Sequence, residues 1–230
     1  MLTADELKRR VALAGAELVE SGMVVGLGTG STASYLIDEL GRRVRESALE
    51  VLGVPTSEGT RERAVLAGIP LTVLDDHPQL DLTLDGADEV DAELRLIKGH
   101  GGALLREKIV ATASRRFVVL VDESKLVEHL GRKFAVPIEV IPFGRRVVEN
   151  ELGKIGGTPK LRRESGTGQP FVTDSGHWIL DCDFDGVPEP ADLESKINDI
   201  PGVVENGLFV GMVDTVLVGR QNGVETLRAG

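Results

Sequence analysis

MVVGLGTGSTASYLIDEL, residues 23–40, reads as a strand, a glycine turn and a helix in one uninterrupted run. Met23-Val24-Val25 is a short apolar run of the buried-strand kind. Ser31 stands where an N-cap is wanted, ahead of a helix carrying Tyr35, Leu36, Ile37 and Leu40. Upstream, Leu7, Val11, Ala14 and Leu18 fall at helical spacing and Gly22 closes that helix. Downstream the rhythm repeats: residues 51–54 with Pro55 are extended, 61–67 are helical with Gly68 as the stop, and 71–74, 80–84 and 117–121 read as strands. Strands alternating with helices indicate a parallel sheet covered on both faces, whose ligand crevice lies beyond the carboxyl ends of the strands.

From about Gly131 the texture changes. Residues 134–141 are extended and 145–152 helical, 171–184 alternate around Asp174-Ser175-Gly176 as a hairpin would, and a helix at 191–197 ends near Pro201. The expected fold class is therefore α/β: a Rossmann-like, mostly parallel sheet with helices on both faces, plus a smaller α+β domain of ferredoxin-like kind. The expected boundaries are 1–128 with 208–230 for the larger domain and 129–207 for the smaller, with residues 213–218 and the Gln221-Asn222-Gly223 turn returning to the larger one.

Composition narrows the function classes. Across 230 residues, 26 Lys and Arg stand against 37 Asp and Glu, a formal net charge of −11, so nucleic acid and anionic membrane are not expected partners and any phosphate must be held by local donors. No run approaches the roughly 18–20 apolar residues a membrane span requires. The single Cys182 cannot form an internal disulfide, and residues 1–10 are charged and helical in pattern rather than signal-like, so a soluble, cytoplasmic protein is expected. His77, His100, His129 and His177 are scattered without ligand spacing and the ligand spacing of an EF-hand is missing, so no metal is expected.

Three segments carry chemistry. Gly26 to Ser31 lacks the last glycine of a dinucleotide fingerprint and no Gly-Lys-Ser/Thr triplet follows, yet successive N–H groups, the hydroxyls of Thr29, Ser31 and Thr32, and a helix N-terminus suit a monoester phosphate. By itself the segment is equally a tight strand-to-helix turn. Asp85-Gly86-Ala87-Asp88 leaves a strand with two carboxylates three residues apart, able to hold hydroxyls and move their protons, or simply an Asp-rich surface turn. Lys98-Gly99-His100-Gly101-Gly102 delivers Glu107 onto a mostly apolar helix, where burial raises a carboxyl toward the range of a general base and Lys98 can neutralise an oxyanion. A fourth polar cluster, Asp122-Glu123-Ser124-Lys125, follows the strand at 117–121.

GLGTGSTA at 26–33, DGADEVD at 85–91 and KGHGGALLREKIVA at 98–111 resemble the hallmark segments of the type A ribose-5-phosphate isomerases. FAVPIEVIPF at 134–143, Gly156-Gly157, VTDSGHWILD at 172–181 and IPGVVENGLF at 200–209 extend the similarity over essentially the whole chain. The resemblance implies interconversion of D-ribose 5-phosphate and D-ribulose 5-phosphate in the non-oxidative pentose phosphate pathway, without metal or organic cofactor, by a homodimer or homotetramer. It assigns Glu107 as the base moving a proton between C1 and C2, Asp85 to ring opening and hydroxyl proton transfer, Asp88 to substrate orientation and Lys98 to the oxyanion. Sugar contacts fall on Gly86, Ala87, Gly99, His100 and Gly101. Phosphate falls on Thr29, Gly30, Ser31, Thr32 and Lys125, with Lys8 reaching in from the N-terminal helix. One departure stands out: the family pattern usually has glycine where His100 stands, so a positive φ there would carry a modest cost, and the ring is expected either to point to solvent or to line the pocket, with the outward, tolerated ring favoured over a changed substrate preference. The rival reading is a non-catalytic sugar-phosphate sensor on a similar scaffold, which would carry a DNA-binding segment for which residues before the first strand leave no room.

Overall fold

The computed structural model describes residues 1–228, and the chain divides into two compact units. The first holds Met1–Ala87, Arg106–Leu126 and the chain from Gly211 onward; the second holds Asp88–Leu105 and Val127–Val210.

In the first unit, α1 (Ala4–Ala16), β1 (Val24–Leu27), α2 (Ser31–Ser47), β2 (Leu52–Pro55), α3 (Glu58–Ala67) and β3 (Leu82–Asp85) alternate in order. In chain order the short strands β4 (Glu89–Val90) and β5 (Leu96–Ile97), which belong to the second unit, come next, and α4 (Leu104–Thr112) and β6 (Phe117–Asp122) lead back into the first. Caps explain the helix limits. Thr3 and Glu6 form a reciprocal capping box on α1, Ser57 accepts the Thr60 N–H to start α3, and Gly68 ends α3 in the left-handed conformation at φ 79°. At α2 the sequence expectation is corrected: Ser31 is the first helical residue, and Gly30 is the cap at φ 109° with no side-chain cap bond. Glycine is the residue that reaches that φ without steric cost.

The central sheet runs β13-β12-β6-β3-β1-β2, with β12 (Thr215–Arg220) and β13 (Gly223–Arg228) closing one edge as an antiparallel hairpin and every other neighbour parallel. Parallel pairing brings the carboxyl ends of β1, β2, β3, β6 and β12 to one rim. Alternate residues of each strand face opposite sides. Val25, Leu27, Val118 and Leu120 bury against Val11, Leu36, Leu40 and Ala64 of α1, α2 and α3, whereas Val24 and Val54 pack with Val110 of α4 and with Leu80. Helices therefore cover both faces. Residues 71–74, expected as a strand, contribute only an isolated parallel bridge from Leu71 to Gly53, because the preceding Pro70 and the turn at 73–76 leave no room for a ladder.

The second unit contains β7 (Val136–Val140), α5 (Arg145–Lys154), β8 (Thr158–Leu161), β9 (Trp178–Asp183), α6 (Pro190–Asn198), β10 (Val203–Asn206) and β11 (Leu208–Phe209). Its antiparallel sheet has the order β10-β7-β9-β8, which with the βαββαβ connection is ferredoxin-like. Ile138, Val140 and Leu180 of that sheet bury with Val148 and Leu152 of α5 and Ile197 of α6. The hairpin expected over 171–184 is reduced to β9, which pairs with β7 and β8, and a lone bridge from Val172 to Trp178 around the 174–176 turn. The expected domain limits also shift. Residues 88–105, placed with the larger domain by sequence, group with the smaller unit because β4 and β5 form a three-stranded antiparallel sheet with β11 and Ile97 joins its core. Among the described residues no helix is long and apolar enough to cross a membrane.

Candidate active site

The rim of the first unit is built by strand register. Leu27 pairs with Leu84 on one side and Pro55 on the other, so the residues that follow, Gly28, Asp85 and Thr56, emerge side by side. A Cβ on Gly28 would lie 2.1 Å from Asp85 Oδ1 and 2.6 Å from Asp85 Cα, so only glycine lets β1 exit against this carboxylate. Asp85 is 1% exposed, and its Oδ1 accepts the N–H groups of Thr29 at 3.0 Å and Gly86 at 2.7 Å. Two such donors fix the direction of the carboxylate.

Thr29 is bound into the turn through both its backbone and its side chain. Its N–H serves Asp85, and its hydroxyl lies 2.8 Å from Thr56 Oγ1, 2.9 Å from Ser57 Oγ and 3.2 Å from Thr60 Oγ1. Thr56 and Thr60 donate in turn to the carbonyls of Leu27 and Gly28. Thr29 therefore cements the turn. Gly30 and Ser31 are exposed and Thr32 is buried at the start of α2, where unpaired helix N–H groups favour an anion.

Glu107 occupies the first turn of α4 and is 5% exposed. The carbonyl of Ala113, just past the far end of α4, accepts from Leu80 ahead of β3, so α4 runs against the strands and its first turn points toward their carboxyl ends. The neighbouring Arg106 is drawn off to Glu58 at 2.9 Å, and hydrogen bonds from Arg61 and Arg106 hold the Glu58 carboxyl below its ordinary range. Farther along the rim, Lys125 is half-buried in a 3-10 turn begun by Asp122, whose side chain accepts the Ser124 N–H. Gly219, paired with Asp122, packs directly beneath the carbonyl of Leu7, which brings the neighbouring residue Lys8 to that end of the sheet.

In the second unit the glycine turn is held from several sides. Asp88 donates its N–H to Ile97 and its Oδ2 accepts the His100 N–H at 2.9 Å. Lys98, 2% exposed, donates its N–H to Gly207, and its Nζ stands 5.6 Å from the centre of the Phe209 ring. Gly99 and Gly102 take φ of 104° and 82°, and Gly101 is exposed. His100 needs no positive φ; it is exposed, with its ring edge-on to Phe134 at 5.0 Å. Gly86 and Ala87 are half-buried. Asp85 and Asp88 are thus fixed by separate sets of hydrogen bonds despite their closeness in sequence.

Sequence reading missed the supporting groups. Glu89, fully buried, accepts the N–H groups of Gly131, Lys133 and Phe134 at 2.6, 2.7 and 2.9 Å. Arg162 donates to the carbonyls of Gly99 and His100. The hydroxyl run Thr56-Ser57 with Thr60 was a readable signal, since it follows a strand end; Arg162 had none. Among the described residues no group of three or more His, Cys, Asp and Glu side chains is arranged to hold a metal.

The family model described as ribose 5-phosphate isomerase A (phosphoriboisomerase A) matches residues 52–223. A relative called ribose-5-phosphate isomerase A from Parvibaculum lavamentivorans is 50% identical over 99% of this chain and 100% of its own length. The solved structure of ribose 5-phosphate isomerase A from Methanocaldococcus jannaschii superposes with a TM-score of 0.95 at 48% identity, covering 98% of this chain and 100% of that one. A D-ribose-5-phosphate isomerase in complex with phospho-erythronic acid gives a TM-score of 0.96 at 41% identity, covering 99% of this chain and 100% of that one.

Proposed function

The chain belongs to the ribose 5-phosphate isomerase A family and is a sugar-phosphate isomerase, and from that premise we propose that it interconverts D-ribose 5-phosphate and D-ribulose 5-phosphate with Glu107 as the general base. In the open-chain aldose, Glu107 takes the C2 proton and the electron pair forms the C1–C2 double bond, leaving negative charge on O1 opposite Lys98. Glu107 returns its proton to C1. The O2 proton passes through Asp85 to O1, leaving a ketone at C2 and a hydroxyl at C1. Asp85 also assists ring opening, and Asp88 orients the sugar hydroxyls beside Gly86, Ala87 and the residues from Gly99 to Gly101. Gly30, Ser31 and Thr32 hold the phosphate with Lys125 and Lys8, while Thr29 shapes their turn. The phosphate anchor fixes the carbon chain relative to the base and so removes the entropic part of the barrier.

The observation that carries this reading is the burial of Glu107, 5% exposed in the first turn of α4. Burial shields that carboxylate from bulk water, as a general base working on a bound substrate requires, whereas a helix glutamate facing water would have no such shelter. No step calls for a metal, because Lys98 supplies the positive charge. The assembly we favour is a homodimer or homotetramer, which light scattering of the purified protein tests, and a cytoplasmic setting suits both the metabolite substrate and the single buried thiol of Cys182.

The test is ribose 5-phosphate in D2O with a chelator present, following ketose formation and deuterium uptake together. Turnover persists under chelation and falls by on the order of 1,000-fold in Glu107→Gln, the scale of a lost general base. Undiminished turnover in that variant overturns the base assignment. Tight substrate binding without exchange in the unaltered protein identifies a sensor instead.

A further inference from the structure

The glycine turn at 98–102 has two left-handed residues in five, and space as well as φ demands them: a Cβ on Gly99 would lie 2.7 Å from Leu104 and one on Gly102 2.5 Å from the Phe171 ring. Glycines that permit this shape also permit many others, so the turn needs outside restraint to stay in one conformation. The restraint comes largely from one side chain. Arg162 Nη1 donates to the carbonyls of Gly99 at 2.9 Å and His100 at 3.0 Å, Nε donates to Asp181 Oδ2 at 3.0 Å, and Nη2 bonds the other oxygen of the same carboxylate. The guanidinium also lies over Phe171, 5.9 Å from the ring centre, and its side chain is only 13% exposed. His100 passes the restraint on, since its N–H is the donor to Asp88.

We propose that Arg162, oriented by Asp181, is a positioning residue for the isomerisation: it holds the turn so that Asp88 and Lys98 present their charges to the substrate in one fixed arrangement. Only a planar fork meets two carbonyls and both oxygens of a carboxylate at once; lysine, a single point charge, cannot. This rests on the roles given above to Asp88 and Lys98.

The experiment measures kcat, KM and thermal unfolding for Arg162→Met, Arg162→Lys and Asp181→Asn beside Glu107→Gln. Misplacement of a group by about 1 Å costs on the order of 100-fold in rate. Arg162→Met is expected to lose roughly 10- to 100-fold in kcat per folded molecule, with Arg162→Lys failing to recover it and Asp181→Asn, which leaves the carbonyl contacts in place, falling between. Added guanidinium is expected to restore part of the activity of Arg162→Met in a saturable way. If Arg162→Met does not fold, Asp181→Asn decides: a loss of kcat per folded molecule supports the proposal and wild-type kcat overturns it. Rates that follow only the folded fraction, or an Arg162→Lys enzyme equal to wild type, also overturn it. These results are separable from failure of the base assignment, which shows as an active Glu107→Gln enzyme.

Discussion

Gly28→Ala places one methyl group where β1 leaves the sheet, and its effect can be worked from two distances. The new Cβ would stand 2.1 Å from Asp85 Oδ1 and 2.6 Å from Asp85 Cα. Ordinary contact begins near 3.5 Å, so about 1 Å of separation is missing. Rotating the carboxylate relieves the first clash but not the second, because the Cα belongs to the backbone of β3. The strand end must therefore draw away, weakening the bonds from the Gly28 N–H to the Leu84 carbonyl and from the Thr29 N–H to Asp85. Overpacking of this kind costs about 1–3 kcal/mol. For a chain of this size each kcal/mol lowers the melting temperature by about 2–4 °C. The chemistry should suffer more than the stability, since an Asp85 displaced by about 1 Å costs on the order of 100-fold in kcat/KM. Calorimetry and a coupled isomerisation assay on one preparation read both quantities. A Gly28→Ala enzyme within threefold of wild-type kcat/KM and with an unchanged melting temperature would falsify this account of the rim.

Gly59 makes the opposite case, since it is exposed in the first turn of α3 and a methyl group added there would meet nothing within 4 Å. Gly59→Ala is expected to raise unfolding free energy by about 0.5–1 kcal/mol, and denaturant titration showing a loss would contradict it. The Cys182 thiol is fully buried, and desolvation, helped by the Asp183 charge, pushes its pKa from 9.0 up to about 12. Over that window the folded chain keeps a proton that the unfolded chain has lost, so stability falls as pH rises, by up to about 1.4 kcal/mol per pH unit. Cys182→Ala lacks this contribution, and stability curves for the two proteins that run parallel through the alkaline range would count against it.

Much of the fold was legible because its signals are local. The run from Met23 to Leu40 carries a strand, a turn and a helix within one stretch, and β6 is an unbroken apolar strand bounded by polar residues. The segments misread depend on remote partners. Residues 71–74 have the composition of a strand, but only Gly53 is available to pair with Leu71. β4 and β5 are two residues each, too short to show a period, and they exist because β11, more than a hundred residues later, supplies the third strand. That pairing is also why residues 88–105 group with the smaller unit.

The candidate site divides along the same line. Asp85, Asp88 and Lys98 are visible in sequence because charge close to glycine at the end of an apolar run is uncommon, and Glu107 because it stands in a mostly apolar helical segment. The direction each group faces is not visible. Thr29 looks like a phosphate donor in its own segment, and nothing local shows that the register setting Pro55 beside Leu27 also brings Thr56 and Ser57 against its hydroxyl. Arg162 has no local mark at all, since an arginine after a short strand is ordinary until β9 supplies Asp181 and the glycine turn supplies two carbonyls. Glycine makes close approach to a substrate possible and leaves the backbone loose. The side chains that remove that looseness can come from anywhere in the chain that topology brings near, so a motif identifies the reacting groups while the fold determines how firmly they are held.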